Sequence, residues 1–349
     1  MDRALLGAAW IGLSLTLLAC GDDAAGTSEA TSSGSGGAGQ SSSSGPGSTS
    51  SGTGGQGAGG GTSGSGIASS YPGDQGIEAD PAVLFADGFE TYTQPSDLES
   101  RWDAVYQLNR IRFATEQGRV RFGAKSLEFE VPQQTAELSN AVDKILGEER
   151  DELYLRYYSR FEAPFDVVGS SHNGSSISAH YFTNGQATPG VPADGSNKFL
   201  VNLEHWRGEA RTPSPGHLNV YVYHPEQRSQ WGDHFFPTGM VLPNSSLPFD
   251  FGSGFVSRPD VLPALDDWHC YEYRVRANTP GQRDGAITIW VDGELVADFG
   301  NLVFRDVADL RIDRFGLSFH VGSNPGGATR KWYDNVVAAT SYIGPVKQP

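Results

Sequence analysis

The feature that most constrains this chain is a strict alternation over nine residues. Leu153, Leu155, Tyr157, Ser159 and Phe161 fall on one side, and Tyr154, Arg156, Tyr158 and Arg160 on the other. A period of two places one side in a core and leaves the other facing outward, which is the pattern of a β-strand. Further apolar or alternating runs at 83–90, 126–130, 176–183, 198–206, 218–224, 268–277, 286–291, 294–299, 312–321 and 332–338 are set off by Gly, Pro, Asn and Asp. Asp292-Gly293, between the runs 287–291 and 294–296, is a two-residue hairpin signal. Short helical pieces are expected only near 98–105 and 136–146. The expected class is all-β, with two antiparallel sheets stacked as a sandwich or jelly roll, and βαβ units do not fit.

The N-terminus carries a different message. Met1-Asp2-Arg3 precedes an uncharged, largely apolar stretch, 4–19, which ends Leu17-Leu18-Ala19-Cys20. The stretch is short for a membrane span and has the form of an export signal. Its ending resembles the bacterial lipobox, in which a small residue precedes a cysteine that is acylated and becomes the mature N-terminus. The resemblance implies a signal peptide over 1–19, a lipid anchor at Cys20 and attachment to a membrane. Residues 31–70 then hold 15 Gly and 14 Ser, with no charge and no aromatic ring. Such a segment buries too little apolar surface to offset its ordering entropy, so residues 20–80 are expected to form a flexible tether. As a random coil, 21–80 would span roughly 45 Å. The expected placement is the bacterial cell envelope, as an outer-membrane lipoprotein facing outward, with the folded domain at 81–345.

A formal charge of −16 and the lack of a basic block argue against a nucleic-acid partner. Of two cysteines, only Cys270 lies in the domain, so no internal disulfide is expected, and its strand context reads as a buried, inert thiol.

Phe85-Ala86-Asp87-Gly88-Phe89-Glu90, the strand 153–158, Trp268 through Arg276, the Asp292-Gly293 turn and Tyr333-Asp334-Asn335-Val336 together resemble concanavalin-like jelly rolls. Among these they look most like alginate or glucuronan lyase-type domains, over nearly all of 83–344. The resemblance implies a glycan groove on one sheet and cleavage of a uronic-acid polysaccharide by β-elimination, without a required cofactor. It also implies an early strand pairing near the last one, with a structural Ca2+ at the joined termini. Asp87, Glu90 and Asp334 are oxygen ligands in those regions. Ordinary turn chemistry is the competing reading of the same three residues.

Elimination needs a donor to neutralise the carboxylate, a base for the C5 proton and an acid for the leaving oxygen. Candidate catalytic residues are His180, Tyr223, Lys198 and Tyr158. Candidate glycan-binding residues are Tyr154, Arg156, Arg160, Asn202, Glu204 and Arg228, because rings stack on sugars and Arg forks bind carboxylates. His205, on the apolar side of its run, reads as a core histidine. Glu204 and Glu272 are the strand glutamates available for hydrolysis, which ranks below elimination. The same aromatic and arginine residues also suit a lectin-like surface module without catalysis, and an envelope structural domain is a third reading.

Overall fold

The computed structural model describes residues 65–348, apart from 168–170, 209–211, 244–247 and 325. Cys20, the expected signal peptide and most of the expected tether lie outside the described residues. Two large antiparallel sheets make up the fold, the sandwich expected from the alternation.

The first sheet has eight strands. Glu294–Leu302, Gly285–Val291, His269–Arg276, Glu152–Phe161, Thr329–Ala339, Ser126–Val131 and Ile111–Ala114 follow one another across it. Val83–Asp87 pairs with the second half of Thr329–Ala339, and Ser126–Val131 with the first half. The early strand thus joins the last, as the resemblance implied. Asp292 and Gly293, at φ 51° and 85°, turn the chain between Val291 and Glu294, which pair directly. Both φ values are positive, as a type I′ hairpin demands.

The second sheet has nine strands. Its order is Val241–Leu242, Asp233–Phe235, His217–Tyr223, Phe199–Trp206, Ser175–Ala179, Ile312–Val321, Leu138–Arg150 and Ala104–Tyr106, with Ser171–His172 paired to the end of Ile312–Val321. The core lies between the sheets. Leu153, Leu155, Tyr157, Tyr271, Tyr273, Ile287 and Ile289 come from the first, and Ile177, Val201, Leu203, Val220, Phe315 and Leu317 from the second. His205 is in this core with both ring nitrogens unpartnered, and burial pulls its pKa well down. Cys270 is buried, and burial raises its thiol to about 12, so it is inert.

Two expectations are corrected. The segment expected as a helix at 136–146 is the strand Leu138–Arg150, because it pairs with Ile312–Val321 on one side and Ala104–Tyr106 on the other. Near 98–105 there is a 3-10 turn, Pro95–Ser100, and then a strand. The tether boundary at 80 also moves. Residues 65–80 form three 3-10 turns, and Ala68 and Ile77 are buried with Val337, Ala339 and Ile343. Ile67 and Ala68 donate their backbone N–H groups to Tyr342 and Ile343. The Gly/Ser bias ran into this segment and masked its few anchors, Ile67, Tyr71 and Ile77.

Candidate active site

The two outer faces of the sandwich are unlike. On the eight-stranded sheet, Tyr154, Arg156, Tyr158 and Arg160 do share an outer face, as expected, but the chain ends cover most of it. Arg156 is fully buried and makes an ion pair with Asp74, whose second oxygen lies 3.4 Å away. Tyr158 accepts a hydrogen bond from the Val346 N–H at 2.9 Å. Arg160 donates to Gly118 O and Asp266 and lies over the Trp332 ring. Tyr154 is half-buried beside the 65–80 segment. Tyr154, Arg156 and Tyr158 therefore hold the termini on the domain, Arg160 ties down internal loops, and none of the four faces the same side as Lys198, Asn202, Glu204 and Tyr223. Sequence alternation gives the face but not what lies over it.

The outer face of the nine-stranded sheet carries the other set. Register fixes one row across it: His234 pairs with Tyr221, Tyr221 with Asn202, Asn202 with Ser176, Ser176 with Gly316, and Gly316 with Asp143. The middle two strands present small side chains, Ser176, Ser178, Gly316 and Ser318. Large ones flank them, with Tyr221, Trp206 and His234 on one side and Tyr106 on the other, while Arg314 stands further along the same middle strand as Gly316. Small residues between bulky ones leave a trough along the strands. Gly316 is needed there, because a Cβ would meet Asp143 Oδ1 at 2.1 Å.

At one end of the trough two histidines, His172 and His234, meet the buried carboxylate of Glu204, and a third, His320, stacks on His172. His172 Nδ1 lies 2.7 Å from Glu204 Oε2, and His234 Nδ1 lies 3.5 Å from Glu204 Oε1. His234 Nδ1 is also 2.9 Å from Asn219 Oδ1. The His172 ring lies 4.9 Å from the Tyr221 ring and 5.3 Å from that of His320, while Trp206 stacks on His234 at 4.8 Å. Burial alone would lower the His172 pKa, but the Glu204 carboxylate, with help from Glu137, outweighs it and the net direction is up. Burial raises Glu204 as well, against the pull of His172. His234 and His320 are pushed down to about 3 by burial and by His172, so both are neutral. Burial and Tyr223 drive the Tyr221 phenol far up, which keeps it protonated. Tyr221 OH accepts from Gly232 N at 2.9 Å and also hydrogen-bonds with Tyr223. The Asn202 amide stands in the middle of the row at 8% exposure, and the buried Ser178 Oγ has no hydrogen-bond partner among the described residues.

Lys198 and Tyr223 sit at the other end, beneath the segment 181–198. Lys198 Nζ lies 4.6 Å from the ring centroids of both Tyr181 and Tyr223, and donates to Thr188 O and, at 2.9 Å, to Thr188 Oγ1. Burial lowers this amine to about 8. Tyr223 OH accepts from Gly190 N at 3.1 Å.

Two candidates fall away from the trough. His180, at φ 50° at a strand end, pairs with Glu149 at 3.0 Å. Arg228 is exposed on a separate cavity of about 180 Å³ with Glu226, Asp233, Phe249 and Arg283. Hydrolysis by a carboxylate pair is corrected too. Glu204 and Glu272 are on opposite outer faces, and Glu272 is taken by the N–H groups of Ile343 and Gly344 at 2.7 and 2.8 Å. Packed sheets alone are about 10 Å apart, beyond the separation a glycosidase pair uses.

The three suggested Ca2+ ligands are already engaged. Asp87 accepts from Phe89 N, Tyr92 OH and Trp102 Nε1. Glu90 accepts from Ala124 N and Lys125 N. Asp334 accepts from the N–H groups of Arg121, Phe122 and Asn335, and burial raises it to about 8. Among the described residues no group of three or more His, Cys, Asp or Glu is arranged to hold a metal ion. These carboxylates do turn and loop work and do not fit the ion.

Tyr221, His172, His234 and His320 were not singled out from sequence. Tyr221 lies two residues before Tyr223 on the same run, so it was within reach. The histidines come from strands far apart in the chain, and no local pattern links them.

Comparisons with known proteins agree with this architecture. No curated protein sequence matches the chain. Among solved structures, alginate lyase Aly36B is similar at 19% identity and TM-score 0.54, over 76% of this chain and 99% of that one. A variant of that enzyme has been solved with an alginate tetrasaccharide. The PL-14 alginate lyase of Aplysia kurodai gives 13% and 0.51 over 74% and 99%, and alginate lyase vAL-1 of a Chlorella virus gives 14% and 0.51 over 74% and 100%. Identities this low carry the fold alone. The family model for polysaccharide lyase 14 matches residues 112–342, which is most of the chain and includes every strand of the trough except Ala104–Tyr106 at its edge, and the chain belongs to that family.

Proposed function

We propose that this protein cleaves a uronic-acid-containing glycan by β-elimination in the trough of the nine-stranded sheet. The observation that carries the reading is the His172–Glu204 pair beside the protonated Tyr221 and the Asn202 amide of the neighbouring strand. Neutral His172, with Nδ1 held by Glu204, directs Nε2 outward as the base for the C5 proton. Tyr221 protonates the departing glycosidic oxygen. Asn202 donates to the substrate carboxylate and stabilises the charge that develops as C5 loses its proton. Trp206 and the histidine rings offer faces on which sugars stack. Lys198 and Tyr223 shape the far end of the trough under the 181–198 segment.

The reading places the enzyme outside the cell, at the bacterial outer membrane, held by a lipid on Cys20 through the Gly/Ser tether. A non-catalytic glycan-binding module is the second reading, favoured by the burial of Lys198 and Tyr223 to 2% and 1% exposure.

The test is ultraviolet detection of the unsaturated product from alginate, glucuronan and other uronates. Product that is lost in His172→Ala supports elimination. Retained binding with no product from any uronate leaves the binding module.

A further inference from the structure

Tyr221 stands inside a column of rings on the trough wall. From centroid to centroid, Trp206 lies 4.8 Å from His234, His234 lies 4.8 Å from Tyr221, and Tyr221 lies 4.9 Å from His172. The elimination uses His172 and Tyr221 and gives His234 no chemical part. The hydrogen bonds around that ring give it one.

His234 faces Tyr221 across the strand pair, and its side chain is 14% exposed. Its Nδ1 lies 2.9 Å from Asn219 Oδ1 and 3.5 Å from Glu204 Oε1. The Asn219 amide is oriented by its Nδ2, which donates to His217 O at 3.3 Å and leaves Oδ1 for the ring. Both neighbours of Nδ1 are acceptors, so in the neutral ring Nδ1 carries the proton. Burial and His172 hold the ring in that neutral form. Nε2, at the far end of the ring from the backbone, is therefore a lone-pair acceptor and cannot donate. His172, with Nδ1 on Glu204, presents the same kind of Nε2 on the other side of Tyr221. Each cleavage removes one C5 proton, and His172 takes it. The lone pair of His234 is left for a donor on the bound glycan, and the donors of an ionised uronate are its hydroxyls.

Resting on the elimination reading above, we infer that His234 is a specificity-determining residue: its Nε2 accepts a hydrogen bond from a free secondary hydroxyl, so the trough selects uronate chains that are not O-acylated there. An acyl ester removes the hydroxyl proton and sets its own oxygens against the nitrogen. Two acceptors then meet with no proton between them, and Nε2 is desolvated without a partner. Asn219 is the positioning residue that keeps the proton on Nδ1.

The experiment compares glucuronan carrying O-acetyl esters with the same polymer after the esters are removed, using the full-length protein and ultraviolet detection of the unsaturated product. The expected kcat/KM is about tenfold or more higher on the deacetylated polymer. His234→Phe keeps a ring of similar bulk in the column and removes the lone pair, so the ratio between the two polymers falls towards one. A general loss of activity lowers both rates and leaves the ratio alone. Asn219→Leu releases the proton to either nitrogen and lowers the ratio as well. A wild-type ratio near one, or a ratio that His234→Phe leaves unchanged, overturns the inference, and a ratio unchanged in Asn219→Leu overturns the positioning role. If neither polymer yields unsaturated product, the elimination reading fails separately. Affinity electrophoresis in gels containing the two polymers then decides: tighter binding to the deacetylated one that His234→Phe abolishes supports the inference, and equal binding overturns it.

Discussion

His172 Nδ1 lies 2.7 Å from Glu204 Oε2, and the carboxylate has no exposed surface. The pair joins two strands that are not adjacent in the sequence, Ser171–His172 and Phe199–Trp206. A buried carboxylate fixes both the tautomer and the aim of the ring, so the role of Glu204 is to position His172. Glu204→Gln removes the charge that raises the His172 pKa. With His172 acting as the neutral base, the acidic limb of the kcat/KM profile should move to lower pH, and the plateau should drop by about 10- to 100-fold. A limb that stays in place would show that His172 is not the titrating base.

Asn202 lies on the outer side of its strand, away from the core that Val201 and Leu203 enter, so its loss should spare the fold. Asn202→Ala is expected to lower kcat/KM by about 100-fold, with a denaturation midpoint near that of the wild type. A large loss of stability with unchanged activity would place Asn202 in the structure and outside the chemistry.

The sandwich and the hairpin at Asp292 were legible in sequence, because each follows from a local period or a turn, whereas the pairing of first and last strands was implied only by the family resemblance. Alternation along the run 198–206 puts Lys198, Asn202 and Glu204 on one face. Two things were not legible. The sequence of 153–161 shows two faces but not that Asp74 and Val346 come back to cover one of them. The histidines at 172, 234 and 320 meet only through strand order, which a single chain does not display. The segment 138–150 failed for a further reason: its pattern is interrupted by Lys144, Gly147 and Glu148, and two flanking strands decide its state.

The terminal strap yields a stability prediction. Arg156 is completely buried, and Asp74 is its carboxylate partner. Asp74→Ala leaves a buried guanidinium without a counter-charge and should destabilise the domain by about 3–5 kcal/mol. Asn335, which donates to Asp74 at 3.0 Å, loses its partner as well. Urea denaturation measures this loss. The trough is on the opposite face, so kcat on a cleaved uronate should remain near the wild-type value in the folded fraction.

Three buried carboxyl groups make stability depend on pH in an unusual sense. Burial raises Asp143 to about 6, Glu272 to about 7 and Asp334 to about 8. Their folded values lie above those of the unfolded chain, so over this window the native state binds more protons. Their contribution is complete below about pH 4 and is lost as pH rises through 6 to 8. Between pH 5 and pH 8, as set by these values, the free energy of unfolding should fall by a few kcal/mol, on the order expected for such shifts. Glu272→Gln should flatten part of that slope. A stability that rises over the same window would contradict the assignment.

The central claim is elimination on the outer face of the nine-stranded sheet, and Tyr221 gives the most direct access to it. The measurement is the ultraviolet absorbance of the unsaturated product during digestion of a uronate glycan by wild-type protein and by Tyr221→Phe. The account predicts product from the wild type and a loss of about 100- to 10,000-fold in kcat in the variant, with binding retained. New reducing ends without any unsaturated product, or a Tyr221→Phe variant as fast as the wild type, would contradict it.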